Sequence, residues 1–308
     1  MRKDYYYESC GCGRIRARVW ATEREPKAVV QLVHGIAEHI ERYDDFAQHL
    51  TNHGILVVAE DHMGHGKSMG TSGVRGYFHG GWFSAVEDTY QLMLDTQKKY
   101  PNIPYVLFGH SMGSFIVRTI LSKYPDAGVC GCIISGTAWQ PQLLLTTAIS
   151  LCDSVCRANG SQNINERLHK LIFGGYNKRI EHVRTPFDWL TRDNKIVDAY
   201  ISDPLCGFTA TAGLLRDMLM GIVYIQKPES ICRMKKDLPV LFIAGGDDPV
   251  GNYGKGVKKA ASAFKASGMQ NVSTQLYPLC RHEVINEINR EEVYTDLIEW
   301  IKTTIHNI

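Results

Sequence analysis

The sequence predicts an α/β protein, with a mostly parallel central sheet, helices on both faces of that sheet, and an inserted helical cap. Two observations support this fold class. Short β-branched runs alternate with helix-like segments in both halves of the chain, and this order produces a parallel sheet covered on both faces. The alternation stops near Trp139 and resumes at Pro239. We therefore expect a core of residues 1–137 and 233–308 with a cap of residues 138–232.

The sequence predicts seven strands. Residues 14–20 alternate between polar and apolar side chains, as a half-buried strand does. Residues 28–33 (AVVQLV) and 55–59 (ILVVA) are continuous apolar runs, typical of strands buried on both faces. Similar short runs predict four more strands, at 105–108, 129–134, 239–244 and 272–277.

Helices are predicted between these strands. The first, 40–53, ends before Gly54, a residue suited to the left-handed position after a helix, and the second, 81–100, ends before Pro101. Further core helices are expected at 112–124, 257–266 and 287–305. Inside the insertion, residues 142–156 are apolar around most of a helix, which is more than a simple surface helix needs.

Composition excludes several classes of protein. The chain has 308 residues, enough to bury a full core without disulfides. Its 34 Lys and Arg residues nearly balance 32 Asp and Glu residues, so no basic excess indicates a nucleic-acid partner. An apolar content of 44% with 21% charged residues excludes wholesale disorder.

The chain also carries features of a cytoplasmic protein. Its basic N-terminus is not followed by the apolar run of about 7–15 residues that a signal peptide needs. No run approaches the roughly 18 apolar residues of a membrane span. The nine cysteines lack C-x-x-C spacing, and Cys130 and Cys132 lie in an apolar strand. We expect reduced thiols and a cytoplasmic location.

The motif Gly109-His110-Ser111-Met112-Gly113 is G-x-S-x-G, placed between a predicted strand and a predicted helix. A nucleophilic serine in this context sits in a strained turn, which requires small residues two positions away on either side. The following helix directs backbone N–H groups and its positive end toward the reacting oxygen. The motif predicts Ser111 as a nucleophile.

A serine hydroxyl needs a base and an acid that orients the base. In hydrolases with this motif the order is Ser, then Asp or Glu, then His. Two adjacent carboxylates follow the strand 239–244, and His282 follows the last strand. We predict His282 as the base and Asp248 as the acid, because Pro249 biases Asp248 to extended backbone. The alternative acid, Asp247, is expected to serve as a turn or capping residue.

Oxyanion binding is predicted for two backbone N–H groups. In acyl-transfer hydrolases one comes from the residue after the nucleophile and one from a loop after an early strand. These donors would belong to Met112 and Ile36. We expect His34, Glu38 and His39 to support that loop with hydrogen bonds.

No metal or cofactor is expected. The segment 61–66 (DHMGHG) holds three possible ligands, but no fourth ligand at zinc-like spacing accompanies it, and a turn after a strand accounts for it. The sequence contains neither G-x-G-x-x-G nor the phosphate-binding G-x-x-x-x-G-K-[ST] motif. Nucleotide cofactors therefore have no recognisable site.

Five segments together resemble the monoglyceride lipase and lysophospholipase-like branch of the α/β-hydrolases. They are HGIAEHIERY (34–43), EDHMGHGKS (60–68), GHSMGS (109–114), GGDDPVG (245–251) and YPLCRHEVINE (277–287). Within the insertion, DWLTRD (188–193) and DPLCGF (203–208) resemble a bacterial subgroup. The resemblance covers nearly the whole chain and is weakest from 140 to 185.

This resemblance implies the α/β-hydrolase fold with a cap over an acyl pocket. It implies Ser111, Asp248 and His282 as the catalytic triad, and Ile36 and Met112 as the oxyanion donors. Two departures stand out: Ser114 replaces a glycine that is usual in the family, and Ile36 is bulkier than the family's common small residue. The second change is expected to narrow the acyl entrance.

The expected function is hydrolysis of a monoacylglycerol, a lysophospholipid or a similar small acyl ester through an acyl-enzyme. An apolar insertion suits a mostly hydrophobic pocket. We expect Leu143, Leu144 and Leu145 to face this pocket; the alternative is a transient contact of the cap with a membrane surface. Head group, chain length and oligomeric state are left open.

Two alternatives remain. A capped aminopeptidase would need carboxylates in the cap to bind the substrate's ammonium group, and Glu166, Glu181, Asp188 and Asp193 are available. A catalytically silent binding protein could use the same scaffold. The correct order of serine, aspartate and histidine argues against this second alternative.

Overall fold

The computed structural model, which describes residues 1–306, contains one eight-stranded sheet in the order β1-β2-β4-β3-β5-β6-β7-β8. The strands are β1 (Arg2–Glu8), β2 (Arg14–Trp20), β3 (Ala28–Val33), β4 (Ile55–Glu60), β5 (Tyr105–His110), β6 (Val129–Ser135), β7 (Val240–Gly245) and β8 (Val272–Tyr277). All pairings among β3 to β8 are parallel, whereas β2 pairs antiparallel with both of its neighbours, β1 and β4, and is the one strand that runs in the opposite direction. The predicted fold class is confirmed.

Ten helices surround and interrupt this sheet in the described residues. They are α1 (Asp44–Asn52), α2 (Gly81–Lys99), α3 (Met112–Lys123), α4 (Gln142–Asn159), α5 (Glu166–Phe173), α6 (Asn194–Ser202), α7 (Ala212–Gln226), α8 (Pro228–Cys232), α9 (Lys255–Ala266) and α10 (Arg290–His306). The predicted helix 40–53 is divided into a 3-10 turn, Ile40–Tyr43, and α1. Gly54 has φ +81°, the left-handed conformation expected of it.

The sequence did not reveal β1. Its residues, RKDYYYE, show no clean alternation, and most of them are exposed, because β1 is an edge strand that pairs only with β2. The central strands were easier to identify. Strands β3, β4, β5 and β7 are buried along their whole length, so each appears in the sequence as an apolar run.

The insertion between β6 and β7 contains helices α4 to α8. Helix α7 packs against α4, α3 and α2, and so joins the insertion to the core. Its buried side chains include Leu214, Leu215 and Ile222. Among residues 1–306, no helix is both long and apolar enough to cross a lipid bilayer.

The buried and exposed sides of helix α4 differ from the sequence-based expectation. Leu143 and Leu144 are 78% and 55% exposed, whereas Leu145 is buried. Because α4 packs on α7 through the side that carries Leu145 and Cys152, the other leucines point to solvent. The expectation that Leu143 and Leu144 face the pocket is wrong.

Candidate active site

Ser111 lies at the tight turn between β5 and α3. Its backbone has φ +52° and ψ −119°, a conformation that side-chain-bearing residues adopt only when their surroundings enforce it. The Ser111 N–H donates to the Ser135 carbonyl (2.9 Å), and the Ser114 N–H and hydroxyl both donate to the Ser111 carbonyl (2.9 and 2.5 Å). These bonds fix Ser111 at the carboxyl end of β5.

The two glycines of the motif allow this turn to pack closely. A Cβ at Gly113 would lie 2.0 Å from the Val33 carbonyl oxygen, and a Cβ at Gly109 would lie 2.6 Å from the Gly113 oxygen. Helix α3 therefore begins in direct backbone contact with β3. The spacing of the motif follows from this close approach.

His282 and Asp248 form a buried pair beside this turn. Asp248 follows β7 and His282 follows β8, and their Nδ1 and Oδ1 atoms are 3.0 Å apart. The Val250 N–H also donates to Oδ1 (2.9 Å). The predicted acid is the residue that makes the contact, because Asp248 is fully buried whereas Asp247 is exposed.

The environment of His282 favours a base. With Nδ1 donating to Asp248, the unprotonated nitrogen is Nε2, which has no hydrogen-bond partner among the described residues. Burial disfavours the charged ring, but the Asp248 carboxylate outweighs burial and raises the pKa of His282 above its ordinary value, with smaller contributions from Glu283 and Glu38. Both His282 and Ser111 line one cavity.

The loop after β3 presents the predicted oxyanion donors. Glu38 Oε1 accepts from the Gly35 N–H (2.6 Å) and the Tyr43 hydroxyl (3.0 Å), which fixes the loop on both sides of Ile36. Within residues 1–306, the N–H groups of Ile36 and Met112 have no intramolecular acceptor. They are available to a substrate oxygen.

A buried ion network connects this loop to the histidine. Arg42 donates to both oxygens of Glu283 (2.6 Å each) and to Glu38 Oε2 (2.7 Å). Burial alone would favour the neutral acid, but Arg42 lowers the pKa of Glu283 to about 2. Because Glu283 directly follows His282, the network joins the two loops. Arg42 and Glu283 were not predicted from the sequence, although both lie in segments that carry the family resemblance, 34–43 and 277–287.

The insertion also holds the histidine loop through its backbone. The His282 N–H donates to the Trp189 carbonyl (3.3 Å), and the Glu283 N–H donates to the Leu190 carbonyl (2.7 Å). The Trp189 ring lies 5.1 Å from the His282 ring, centroid to centroid. One wall of the site is therefore supplied by the insertion.

The cavity above Ser111 has a volume of about 300 Å³. Its walls are mainly apolar and aromatic. Ile36 comes from the loop after β3, and most of the other apolar side chains come from the insertion: Phe173, Phe187, Trp189, Leu190, Tyr200, Phe208 and Ala210. The acidic residues Glu38, Glu283 and Glu166 also line it. Leu143, Leu144 and Leu145 are absent from the walls, which α4 does not form in the described structure.

Three buried histidines support the oxyanion loop from below. The His62 N–H donates to His34 Nε2 (3.0 Å), and His62 Nε2 lies 3.1 Å from the His34 carbonyl oxygen. His65 Nδ1 lies 3.2 Å from the Met63 carbonyl oxygen. The His34 and His62 rings are 4.1 Å apart. The segment 61–66 is thus a hydrogen-bonded turn, as expected.

Acid should destabilise the protein through these rings. Burial lowers the pKa of His34 well below its ordinary value and that of His65 to about 3. An unfolded chain binds these protons near pH 6.5, so stability present above that pH is lost as the pH falls, by about 1.4 kcal/mol per unit for each ring. Burial raises the pKa of Asp88 to about 6. Below that pH this carboxyl takes up a proton in the folded protein, which opposes the loss of stability from one ring.

Urea unfolding at several pH values between 7.5 and 5 measures how the free energy of unfolding changes with pH. In His65→Asn the slope of this free energy against pH should be smaller than in wild type, by the equivalent of about one proton. Equal slopes for the two proteins between pH 6.5 and 5.5 would contradict a neutral, buried His65.

Comparison with known proteins agrees with this geometry. Residues 24–289 match the Hydrolase_4 family, described as serine aminopeptidase, S33. The chain is 29% identical to the monoacylglycerol lipase of Mycolicibacterium smegmatis over 97% of each chain. It is 28% identical to the monoglyceride lipase of Mus musculus, over 94% of this chain and 86% of that protein.

A solved structure extends the likeness to three dimensions. The carboxyl esterase from Bacillus coagulans, in complex with glycerol, has a TM-score of 0.92 and 30% identity, and the match covers 99% of both chains. The resemblance stated from the sequence motifs is confirmed. The chain belongs to the Hydrolase_4 family of α/β-hydrolases and is a serine hydrolase of the lipase and esterase type.

Proposed function

We propose that the protein hydrolyses esters of an apolar acyl chain and a small polar alcohol, through an acyl-enzyme on Ser111. The observation that carries this proposal is the buried His282–Asp248 pair, which faces the same apolar cavity as Ser111. The names of the lipase relatives, and glycerol in the esterase structure, favour a monoacylglycerol. A lysophospholipid is the second substrate class.

The proposed reaction begins with attack of the Ser111 hydroxyl oxygen on the ester carbonyl. His282 Nε2 accepts the hydroxyl proton, and Asp248 holds the ring in the required tautomer. The Ile36 and Met112 N–H groups stabilise the negative oxygen of the tetrahedral intermediate. His282 then protonates the leaving alcohol, and water releases the acid from Ser111 by the same steps.

We propose that residues 138–232 act as the cap of this site and receive the acyl chain. Phe173, Phe187 and Phe208 supply apolar walls, and the lining also includes the acidic residues Glu38, Glu283 and Glu166. Apolar walls with a few polar groups are typical of sites for amphipathic small molecules.

The substrate panel that tests this proposal contains monoacylglycerols, lysophosphatidylcholines and p-nitrophenyl esters, each at several chain lengths. We expect turnover of monoacylglycerols to exceed that of the same acyl chains on phosphocholine. Equal rates for all head groups would contradict recognition of the alcohol. Ser111→Ala serves as the background for each substrate.

Activity should depend on pH through His282. The ring must be neutral to accept a proton, and Asp248 raises its pKa above the ordinary value of about 6.5. Activity is therefore full at higher pH and falls as the pH drops through a midpoint above 6.5. The pH profile of kcat/KM for a neutral ester measures this midpoint, and a flat profile from pH 5 to 8 would exclude His282 as the base.

An aminopeptidase remains a second candidate, because the matched family carries that description. Of the four carboxylates considered for the cap, only Glu166 lines the cavity. Asp188 instead accepts bonds from the Arg184 and Thr185 backbone N–H groups, and Asp193 caps α6. Proline naphthylamide compared with p-nitrophenyl butyrate separates the two activities, and we expect turnover of the ester.

Covalent labelling by a fluorophosphonate tests the proposed nucleophile directly. We expect labelling of the wild-type protein and its loss in Ser111→Ala. Labelling of neither protein would contradict the proposed role of Ser111.

We also propose that α4 makes transient contact with a membrane surface. Leu143 and Leu144, together with Leu151 (43% exposed), leave apolar area on this helix in solvent. Co-sedimentation with phosphatidylcholine and phosphatidylglycerol vesicles should decrease in the Leu143→Ser/Leu144→Ser double variant. Unchanged co-sedimentation would contradict the contact.

A further inference from the structure

His39, Asp203 and Cys206 bring three different donor atoms together outside the cavity. His39 Nε2 lies 2.8 Å from Asp203 Oδ2, and the ligand atoms of all three residues lie within 4.8 Å of one another. The side chain of His39 is 3% exposed and that of Asp203 is 30% exposed, while Cys206 is buried. The cluster is thus closed on one side and reachable from solvent at Asp203.

Local structure orients each donor. Asp203 follows α6, and the Cys206 N–H donates to the Asp203 carbonyl (3.0 Å), so both side chains project from one turn. The Leu205 N–H donates to Asp203 Oδ1 (2.8 Å), which leaves Oδ2 directed at His39. His39 itself follows Glu38 at the end of the oxyanion loop.

The donor set is that of a zinc site. Imidazole nitrogen, carboxylate oxygen and thiolate sulfur bind Zn²⁺ at about 2.0–2.3 Å, which separates neighbouring donors in a tetrahedron by about 3.3–3.6 Å. Movements of about 1 Å or less bring the three atoms to these separations. We propose that His39, Asp203 and Cys206 bind a divalent zinc-like ion, with water as the fourth ligand on the exposed side of Asp203.

Proton balance sets the pH dependence of binding. The Cys206 thiol loses its proton to solvent when sulfur binds the metal. The proton on His39 Nε2 moves to Nδ1, which then no longer accepts the long hydrogen bond (3.4 Å) from the Glu41 N–H. One proton is released for each ion bound, so affinity should increase about tenfold per pH unit in the range where the thiol is protonated.

A bound ion would link the oxyanion loop to the insertion. These segments already meet at Ala37, whose carbonyl accepts from the Gly207 N–H and the Tyr200 hydroxyl, each at 2.9 Å. The metal would replace the hydrogen bond between His39 and Asp203 by coordination of both residues and of Cys206. The folded state, which alone assembles these ligands, should be stabilised by binding.

Cobalt titration of reduced, tag-free protein tests the site. Co²⁺ should give one equivalent of a thiolate charge-transfer band, which Zn²⁺ displaces. Zn²⁺ at a hundredfold excess over its Kd should raise the Tm by about 5 °C. Both effects should disappear in Cys206→Ser and persist in Cys232→Ser, the matched control with an exposed thiol.

Asp203→Asn is a second variant that retains a hydrogen-bonding partner for His39. It should bind Co²⁺ at least tenfold more weakly than wild type. Identical titrations for wild type, Cys206→Ser and Asp203→Asn would overturn the proposal, because the metal would then bind at other thiols.

Discussion

Ser111→Ala should reduce ester turnover by about a million-fold, as removal of the nucleophile does in other serine hydrolases. The alanine keeps the cavity and the two oxyanion donors, so substrate binding should change little and the loss should appear in kcat. Steady-state kinetics with a p-nitrophenyl ester measure it. Because alanine fits wherever serine does, the Tm should stay within a few degrees of wild type.

Ser150→Ala is the matched control for this change. Ser150 lies exposed on α4, away from the cavity walls. The turnover of Ser150→Ala should therefore equal that of wild type. A Ser111→Ala protein that is folded and retains more than 1% of wild-type turnover would exclude Ser111 as the nucleophile.

Asp248→Asn should lower kcat by about ten-thousand-fold. The Asp248 carboxylate accepts a hydrogen bond from the His282 Nδ1–H (Nδ1 to Oδ1, 3.0 Å), and this bond selects the tautomer whose Nε2 can act as a base. An amide in its place can donate to Nδ1 and so stabilise the opposite tautomer. It also removes the charge that raises the pKa of His282, so the acidic limb of the pH profile should move to lower pH.

The adjacent carboxylate provides the control. Asp247 is exposed and bonds the Cys280 carbonyl only through its backbone N–H (2.9 Å). Asp247→Asn should retain turnover within about twofold. If Asp247→Asn were the more damaging of the two substitutions, the assignment of the acid would have to be reversed.

Residue patterns were sufficient for the parts of the molecule that depend on local chemistry. The buried strands β3, β4, β5 and β7 appear as apolar runs, because both of their faces are covered. The turn at Ser111 depends on two glycines, because a Cβ at either position would collide with neighbouring backbone. The distance between this turn and the loop that carries His282 is set by the order of strands in the sheet.

Other features depend on contacts between distant segments. The Arg42–Glu283 pair joins residues 241 positions apart, and no periodicity indicates such a pair. The direction of α4 was mispredicted because a helix that is apolar around most of its surface gives no single buried face. The proposed site at Cys206 could not be predicted for the same reason as the ion pair, because its ligands are far apart in the sequence: His39 and Asp203 are 164 positions apart.

The carbonyls of Trp189 and Leu190, which accept from the histidine loop, have a consequence for chimeric enzymes. Grafting another relative's insertion onto this scaffold would replace both the apolar walls of the cavity and the two backbone carbonyls that hold the loop carrying His282. Such hybrids should lose turnover even toward short, unhindered esters, unless the donor segment restores both acceptors in register. The lining of the cavity and the position of His282 are therefore coupled through one segment of the chain.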